Sequence, residues 1–161
     1  MGTKAREIVG KDVKKIVALL NQALADEWLA YYQYWIGAKI GHGPMRQIVT
    51  DEFEVHATEE LKHAGMLVER IIQLGGVPVL EPKEWYERTH CGYAAPNNPS
   101  IAVLLKQNVK SEQCAIGFYQ KLADACRDAD EITYYLALAI MKDEVSHEED
   151  LEAYLKDLAQ K

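Results

Sequence analysis

The chain has 161 residues, 48% hydrophobic and 27% charged, which suits one globular domain with a real core. Its net charge of −7 argues against general nucleic-acid binding. No apolar run of signal-peptide type opens the sequence and none reaches the roughly 18 residues of a membrane span, so a cytoplasmic location is the default expectation.

Residues 1–11 read as an N-terminal arm. Lys4, Arg6, Lys11, Lys14 and Lys15 outweigh Glu7 and Asp12 there, as a basic arm or, more blandly, a solvated helix start. Residues 12–41 read as a first helix, with Ile16, Leu20, Leu24, Tyr31 and Tyr34 recurring at the three- and four-residue steps of one buried face. Gly41-His42-Gly43-Pro44 is a tight break, with Pro44 placed to open a second helix over 44–74. That helix carries Phe53, Leu67, Ile71 and Leu74 on one stripe and is stopped by Gly75-Gly76. Residues 75–98 form a long crossover with room for a short helix around Pro82–Arg88, and so long a segment in a compact domain often has a function. A third helix, 99–127, carries Ile101, Leu105, Val109, Ile116 and Tyr119. A polar turn near Arg127-Asp128 leads to a fourth, 129–159, with Ala137, Ile140, Leu151, Leu155 and Leu158. The predicted fold is a single all-α domain over 1–161, a four-helix bundle of two antiparallel hairpins. A helix of this length spans roughly 40 Å, and the crossover is long enough to run along it and reverse the chain's sense.

The two hairpins look like copies. Glu27 precedes Glu60 by 33 residues and Glu112 precedes Glu144 by 32. Tyr34 and Tyr119 each follow the first glutamate by seven residues, and His63 and His147 each follow the second by three. All six of Glu27, Glu60, His63, Glu112, Glu144 and His147 fall on faces that should be buried. Each carboxylate sits about 16 residues from its hairpin turn, so at about 1.5 Å per residue the four share one level roughly 24 Å from the turns. Each histidine shares a helix face with the glutamate before it.

Four carboxylates in an apolar layer cannot all stay ionised without compensation. Two divalent cations would neutralise them. The oxygen and imidazole donors suit iron or manganese, and zinc could also occupy such a site. One Glu from each of two helices, with Glu-x-x-His from each of the others, is the di-iron carboxylate arrangement. A single Glu-x-x-His arises often by chance; two in a duplicated frame do not. A buried salt-bridge network is the competing explanation, and the stripe offers too few lysines or arginines for it.

The chain resembles the ferritin–bacterioferritin–Dps superfamily along nearly its whole length, which implies a ferritin-like bundle with one crossover. Glu60-Leu61-Lys62-His63-Ala64, followed by Glu69-Arg70-Ile71, resembles the second helix of bacterioferritins. Those proteins carry a haem-ligating methionine where this chain has Leu61, so haem is not expected. A closer resemblance is to thioferritins, the Dps-like group with a bacterioferritin-type site in each subunit. It rests on Ala25-Asp26-Glu27-Trp28-Leu29-Ala30-Tyr31-Tyr32-Gln33-Tyr34-Trp35, on Gly76-Val77-Pro78-Val79-Leu80 and on Trp85. The resemblance implies that Glu60 and Glu144 bridge two irons per subunit, with Glu27 and His63, and Glu112 and His147, as terminal ligands. It also places the group's signature cysteines on Cys91 and Cys114 as redox thiols that could form a reversible disulfide; Cys126 has no place in the pattern and reads as an inert thiol. The sequence ends with the fourth helix, without the fifth helix of 24-subunit ferritins, and with the long crossover this favours a shell of twelve subunits.

The reaction so implied is a ferroxidase reaction, oxidation of Fe(II) by hydrogen peroxide or more slowly by dioxygen, with iron storage in a cage and protection from oxidative stress. His56, one turn before Glu60, reads as a transit site or outer neighbour of the metals, or as a core histidine. Tyr34 reads as a hydrogen-bond donor or electron source near the metals, or as plain core. Two alternatives remain: a rubrerythrin-like di-iron peroxidase without storage, and a Dps-type DNA-protecting protein using the basic arm. The overall acidity sets the second last.

Overall fold

The structure, a computed structural model, describes residues 3–160. A short helix, α1 (Thr3–Val9), and a 3-10 turn (Gly10–Asp12) lead into α2 (Val13–Ile40). Helix α3 (Arg46–Gln73) returns alongside it. The crossover carries a 3-10 turn (Pro82–Glu84) and the one-turn α4 (Trp85–Arg88). Helices α5 (Ile101–Cys126) and α6 (Glu131–Ala159) complete the bundle. Helix α2 packs on α3 and α5 on α6, while α2 also neighbours α5 and α3 neighbours α6. Among the described residues no helix is long and apolar enough to cross a membrane.

The arm expected over 1–11 is mostly helix; Met1 and Gly2 lie outside the described residues. Val9 is buried in the bundle's core, whereas Lys4 stays exposed and pairs with Glu7 at 3.2 Å, which fits the solvated helix start. The second helix begins at Arg46 rather than Pro44, because Met45 adopts a left-handed φ of 59° that the helical path cannot absorb. The fourth begins at Glu131 because the Asp130 side chain caps it, accepting from the Thr133 N–H. Gly75, with φ +73°, ends α3. The Gly75 N–H bonds to the Ile72 carbonyl and the Gly76 N–H to that of Ile71, the paired closure that favours glycine at a left-handed position.

The core comes in two apolar halves. One holds Ile16, Leu20, Leu24, Leu67, Ile71, Leu122 and Ile140. The other holds Val49, Phe53, Ile101, Leu104, Leu105 and Leu151. Each such side chain contributes about 1.5–3 kcal/mol by leaving water. Between the halves lies a polar layer. Ile116, expected in the core, is only half-buried, since α5 turns it toward the bundle's flank. Arg70 is a buried cation that the sequence did not reveal: its guanidinium binds both Asp130 carboxylate oxygens, at 2.7 and 2.8 Å, away from that layer.

The crossover is clamped to one face of α2. Asn21 donates to the Val77 carbonyl and accepts from the Val79 N–H. Trp28 stacks on Trp85 with centroids 5.3 Å apart. The half-buried Asp26 carboxylate accepts from the Thr89 hydroxyl and from the backbone N–H groups of His90 and Cys91. Gln33 accepts from the Ala94 N–H. These contacts carry Cys91 over the polar layer, where a disulfide joins it to Cys114 on α5, with Cα atoms 5.7 Å apart.

Candidate metal centre

Glu27 of α2, Glu60 and His63 of α3, Glu112 of α5, and Glu144 and His147 of α6 all lie in the layer, each at most 3% exposed. Two sets of four offer ligand atoms within 4.8 Å of one another: Glu27, Glu60, His63 and Glu144, and Glu60, Glu112, Glu144 and His147. Glu60 and Glu144 belong to both. The arrangement has an approximate two-fold relation that swaps the hairpins.

Both imidazoles turn the same nitrogen inward. His63 Nδ1 lies 3.2 Å from Glu144, 3.4 Å from Glu60 and 3.5 Å from Glu27. His147 Nδ1 lies 3.2 Å from Glu144 and 3.5 Å from Glu60. Their outer nitrogens meet carboxylates of the opposite hairpin: His63 Nε2 is 3.3 Å from Asp143 and His147 Nε2 is 2.7 Å from Glu59. A carboxylate on the outer nitrogen orients each ring, with Nε2–H donating and Nδ1 facing the centre, as around metal-bound histidines. Sequence reasoning missed Glu59 and Asp143. The available signal was an acid immediately before each Glu-x-x-His.

The tyrosines follow the same swap. The Tyr34 hydroxyl donates to Glu112 and that of Tyr119 to Glu27, so each tyrosine serves the other hairpin's glutamate. Burial, then the neighbouring carboxylates, push both phenols well above their ordinary pKa, keeping them neutral donors.

Electrostatics show a layer short of positive charge. Burial, and then the charge of Glu60, push Glu27 well above the ordinary carboxylate range. Burial, and then Glu144, do the same to Glu112. Burial also acts most strongly on Glu60, upward, but the facing imidazoles of His147 and His63 together outweigh it and hold that carboxyl low. For His147, burial's downward push is overcome by Glu144 and Glu60, which lift it to about 12; His63 is lifted likewise by Glu144, Glu27 and Glu60. Protons thus supply part of the missing charge. Even so, Glu27 Oε2, Glu60 Oε1, both Glu144 oxygens and His147 Nδ1 are buried without a hydrogen-bond partner. Buried polar atoms are normally satisfied, and oxygen and imidazole donors converging from four helices fit divalent metal ions. The cluster is compatible with a di-metal site.

A cavity of about 30 Å³, room for one or two water-sized molecules, touches Glu27, Glu60, Glu112 and Glu144 and runs up to Ser111 and Cys91. The crossover and its disulfide therefore cover the approach between α2 and α5. His56 sits in the core one turn before Glu60, its ring stacked on that of His147 at 4.0 Å. Burial, then His147, push it down to about 3. Cys126 is a buried free thiol that burial raises to about 11, which removes its nucleophilic form at neutral pH.

Comparison with known proteins agrees with this anatomy. A dodecameric thioferritin described as the bacterioferritin-related protein of Bacteroides fragilis is similar over 99% of this chain and 96% of its own, with 47% identity and a TM-score of 0.96. A DNA protection during starvation protein of Pyrococcus furiosus is 34% identical over 143 residues, 88% of this chain and 77% of that protein. The Dps protein of Staphylococcus aureus, 20% identical, shares the fold with a TM-score of 0.83 over 88% of this chain and 95% of its own. Residues 17–161 match the Ferritin family, described as the ferritin-like domain, and the chain belongs to that ferritin-like family.

Proposed function

We propose that the buried layer is a dinuclear iron centre that oxidises Fe(II) with hydrogen peroxide, or more slowly with dioxygen. In this reading Glu60 and Glu144 bridge the two ions. Glu27 with His63, and Glu112 with His147, hold one each. The observation that carries it is the set of unpartnered buried acceptors, shared between two four-residue sets. Two Fe(II) each give one electron; one hydrogen peroxide takes both, with two protons, and leaves as two waters. The protein's part is geometry and charge: Asp143 and Glu59 hold the imidazoles, Tyr34 and Tyr119 steady the outer glutamates, and the cavity under Cys91 admits a molecule the size of peroxide.

The ferric product would be stored inside a shell of this chain. Twelve subunits are proposed because the 47%-identical relative is described as dodecameric. Cys91 and Cys114 would act as a reversible couple above the cavity, since two thiols closing to a disulfide release two electrons and two protons, the number one peroxide takes up. A second reading, DNA protection, is favoured by the relatives' names. Salt-sensitive DNA retardation, lost when Lys4, Lys11 and Lys14 are replaced by Gln, would support it; the net charge of −7 weighs against it.

The test is anaerobic loading with Fe(II), then one peroxide per two irons, following ferric absorbance and peroxide loss. The proposal expects fast, stoichiometric consumption, abolished in Glu60→Ala. Oxidation unchanged in that variant would remove it.

A further inference from the structure

The centre has a second polar flank, on the α3 and α6 side away from the crossover. His56 is 1% exposed, and neither ring nitrogen has a hydrogen-bond partner. Its Nε2 lies 3.4 Å from a Glu52 oxygen, outside hydrogen-bonding geometry. The other Glu52 oxygen accepts from the Tyr154 hydroxyl at 3.2 Å, which leaves the first turned toward the imidazole. Glu52, His56 and Asp150 offer ligand atoms within 4.8 Å of one another, and on the inner side His56, Glu112 and His147 do the same. One imidazole thus belongs to a group open to solvent through the exposed Asp150 and to a group inside the buried layer.

The duplicated frame supplies a control. The offset of 84 residues that relates Glu60 to Glu144 and His63 to His147 relates Glu52 to Leu136, His56 to Ile140, and Asp150 to Met66. In that other half all three positions are apolar and pack in or against the core. The fold therefore does not need polar groups here; one half has them and the other is dry. A buried imidazole without partners costs free energy unless something binds it.

We propose that Glu52, His56 and Asp150 hold a third divalent cation of the first transition row, on a path between solvent and the buried centre. Two carboxylates with one imidazole select such ions over the harder, oxygen-seeking calcium and magnesium, and Fe(II) is the ion the path would carry. The site's role as a way-station rests on the dinuclear reading; its existence as a cation site does not.

Anaerobic Co(II) titration by calorimetry, with anomalous diffraction from Co(II)-soaked crystals, tests it on the full chain. The expected result is three Co(II) per chain, one bound at His56, falling to two in a Glu52→Gln/Asp150→Asn double variant whose buried centre still fills. That variant should also load the buried centre with Fe(II) severalfold more slowly. In Glu60→Ala/Glu144→Ala one Co(II) should remain, at His56. Two Co(II) in the wild type with no density at His56 would overturn the third site and leave the dinuclear reading standing. Cobalt at His56 alone would keep the third site and remove the dinuclear one.

Discussion

Two buried polar groups stand in one bundle and differ in a way that separates structure from function. At one end, Arg70, Asp130 and Thr133 form a closed set. The guanidinium gives bonds to both Asp130 oxygens, to Thr133 and to Gln73, and Asp130 also accepts from the Thr133 backbone. Charge and hydrogen bonds balance, so nothing further is required. In the middle, four carboxylates face two imidazoles, and five buried atoms have no partner. A closed set orders the chain; an open one, bounded by apolar halves on either side, is poised for cations. Burial alone does not distinguish the two. The count of satisfied atoms does.

The largest effect should come from breaking the closed set. Asp130→Asn leaves Arg70 buried and uncompensated, and should cost about 3–5 kcal/mol in denaturant unfolding, with or without metal. The pH dependence has a definite sign. Burial pushes Asp130 up, but the hydrogen bonds from Arg70 and Thr133 prevail and depress it below its ordinary value of 3.8. Its contribution is therefore complete above pH 3.8 and lost as pH falls through the lower folded-state value. The gap between wild type and variant should close only on acidification below that point.

Opening the clamp above the centre comes next. The disulfide closes a loop with a sequence separation of 23. Cys91→Ser should lower stability by about 3 kcal/mol against the oxidised wild type, on the chain-entropy account, and match the reduced wild type. A smaller change follows at the outer carboxylates. Glu59→Gln or Asp143→Asn should weaken metal binding about 10- to 100-fold in calorimetric titration, with little change in metal-free stability.

The smallest effect sharpens the contrast most. Glu27 and Glu112 are pushed toward their neutral forms in the metal-free protein, and glutamine mimics a neutral carboxyl. Glu27→Gln or Glu112→Gln should shift metal-free stability by no more than about 1 kcal/mol, yet abolish the rise in Tm that metal addition gives the wild type. A large loss in the metal-free variant would mean that the layer is an ordinary structural ion-pair network.

Much of this was legible in the sequence because helical periodicity converts spacing into depth and face. The four long helices, the short helix in the crossover and the common level of the six polar residues all follow from local rules. What needed the structure was pairing across hairpins. Tyr34 lies seven residues after Glu27, which suggests one helix face, yet it donates to Glu112. Glu59 and Asp143 lie about 100° around their helices from the glutamates they precede, off the stripe that periodicity marks, yet their side chains reach across to His147 and His63. Nothing local marks Arg70 as buried, because its partner, Asp130, is 60 residues away. The left-handed backbone at Met45 and the side-chain cap from Asp130 set helix starts that Pro44 and the polar turn placed two residues early.

The most direct test of a dinuclear iron centre is an anomalous difference map at the iron edge from a crystal soaked anaerobically in Fe(II). Two peaks are expected in the buried layer, about 3.5–4 Å apart, both beside Glu60 and Glu144, with His63 at one and His147 at the other. A layer without iron, its carboxylates instead satisfied by ordered water and the two imidazoles, would contradict it.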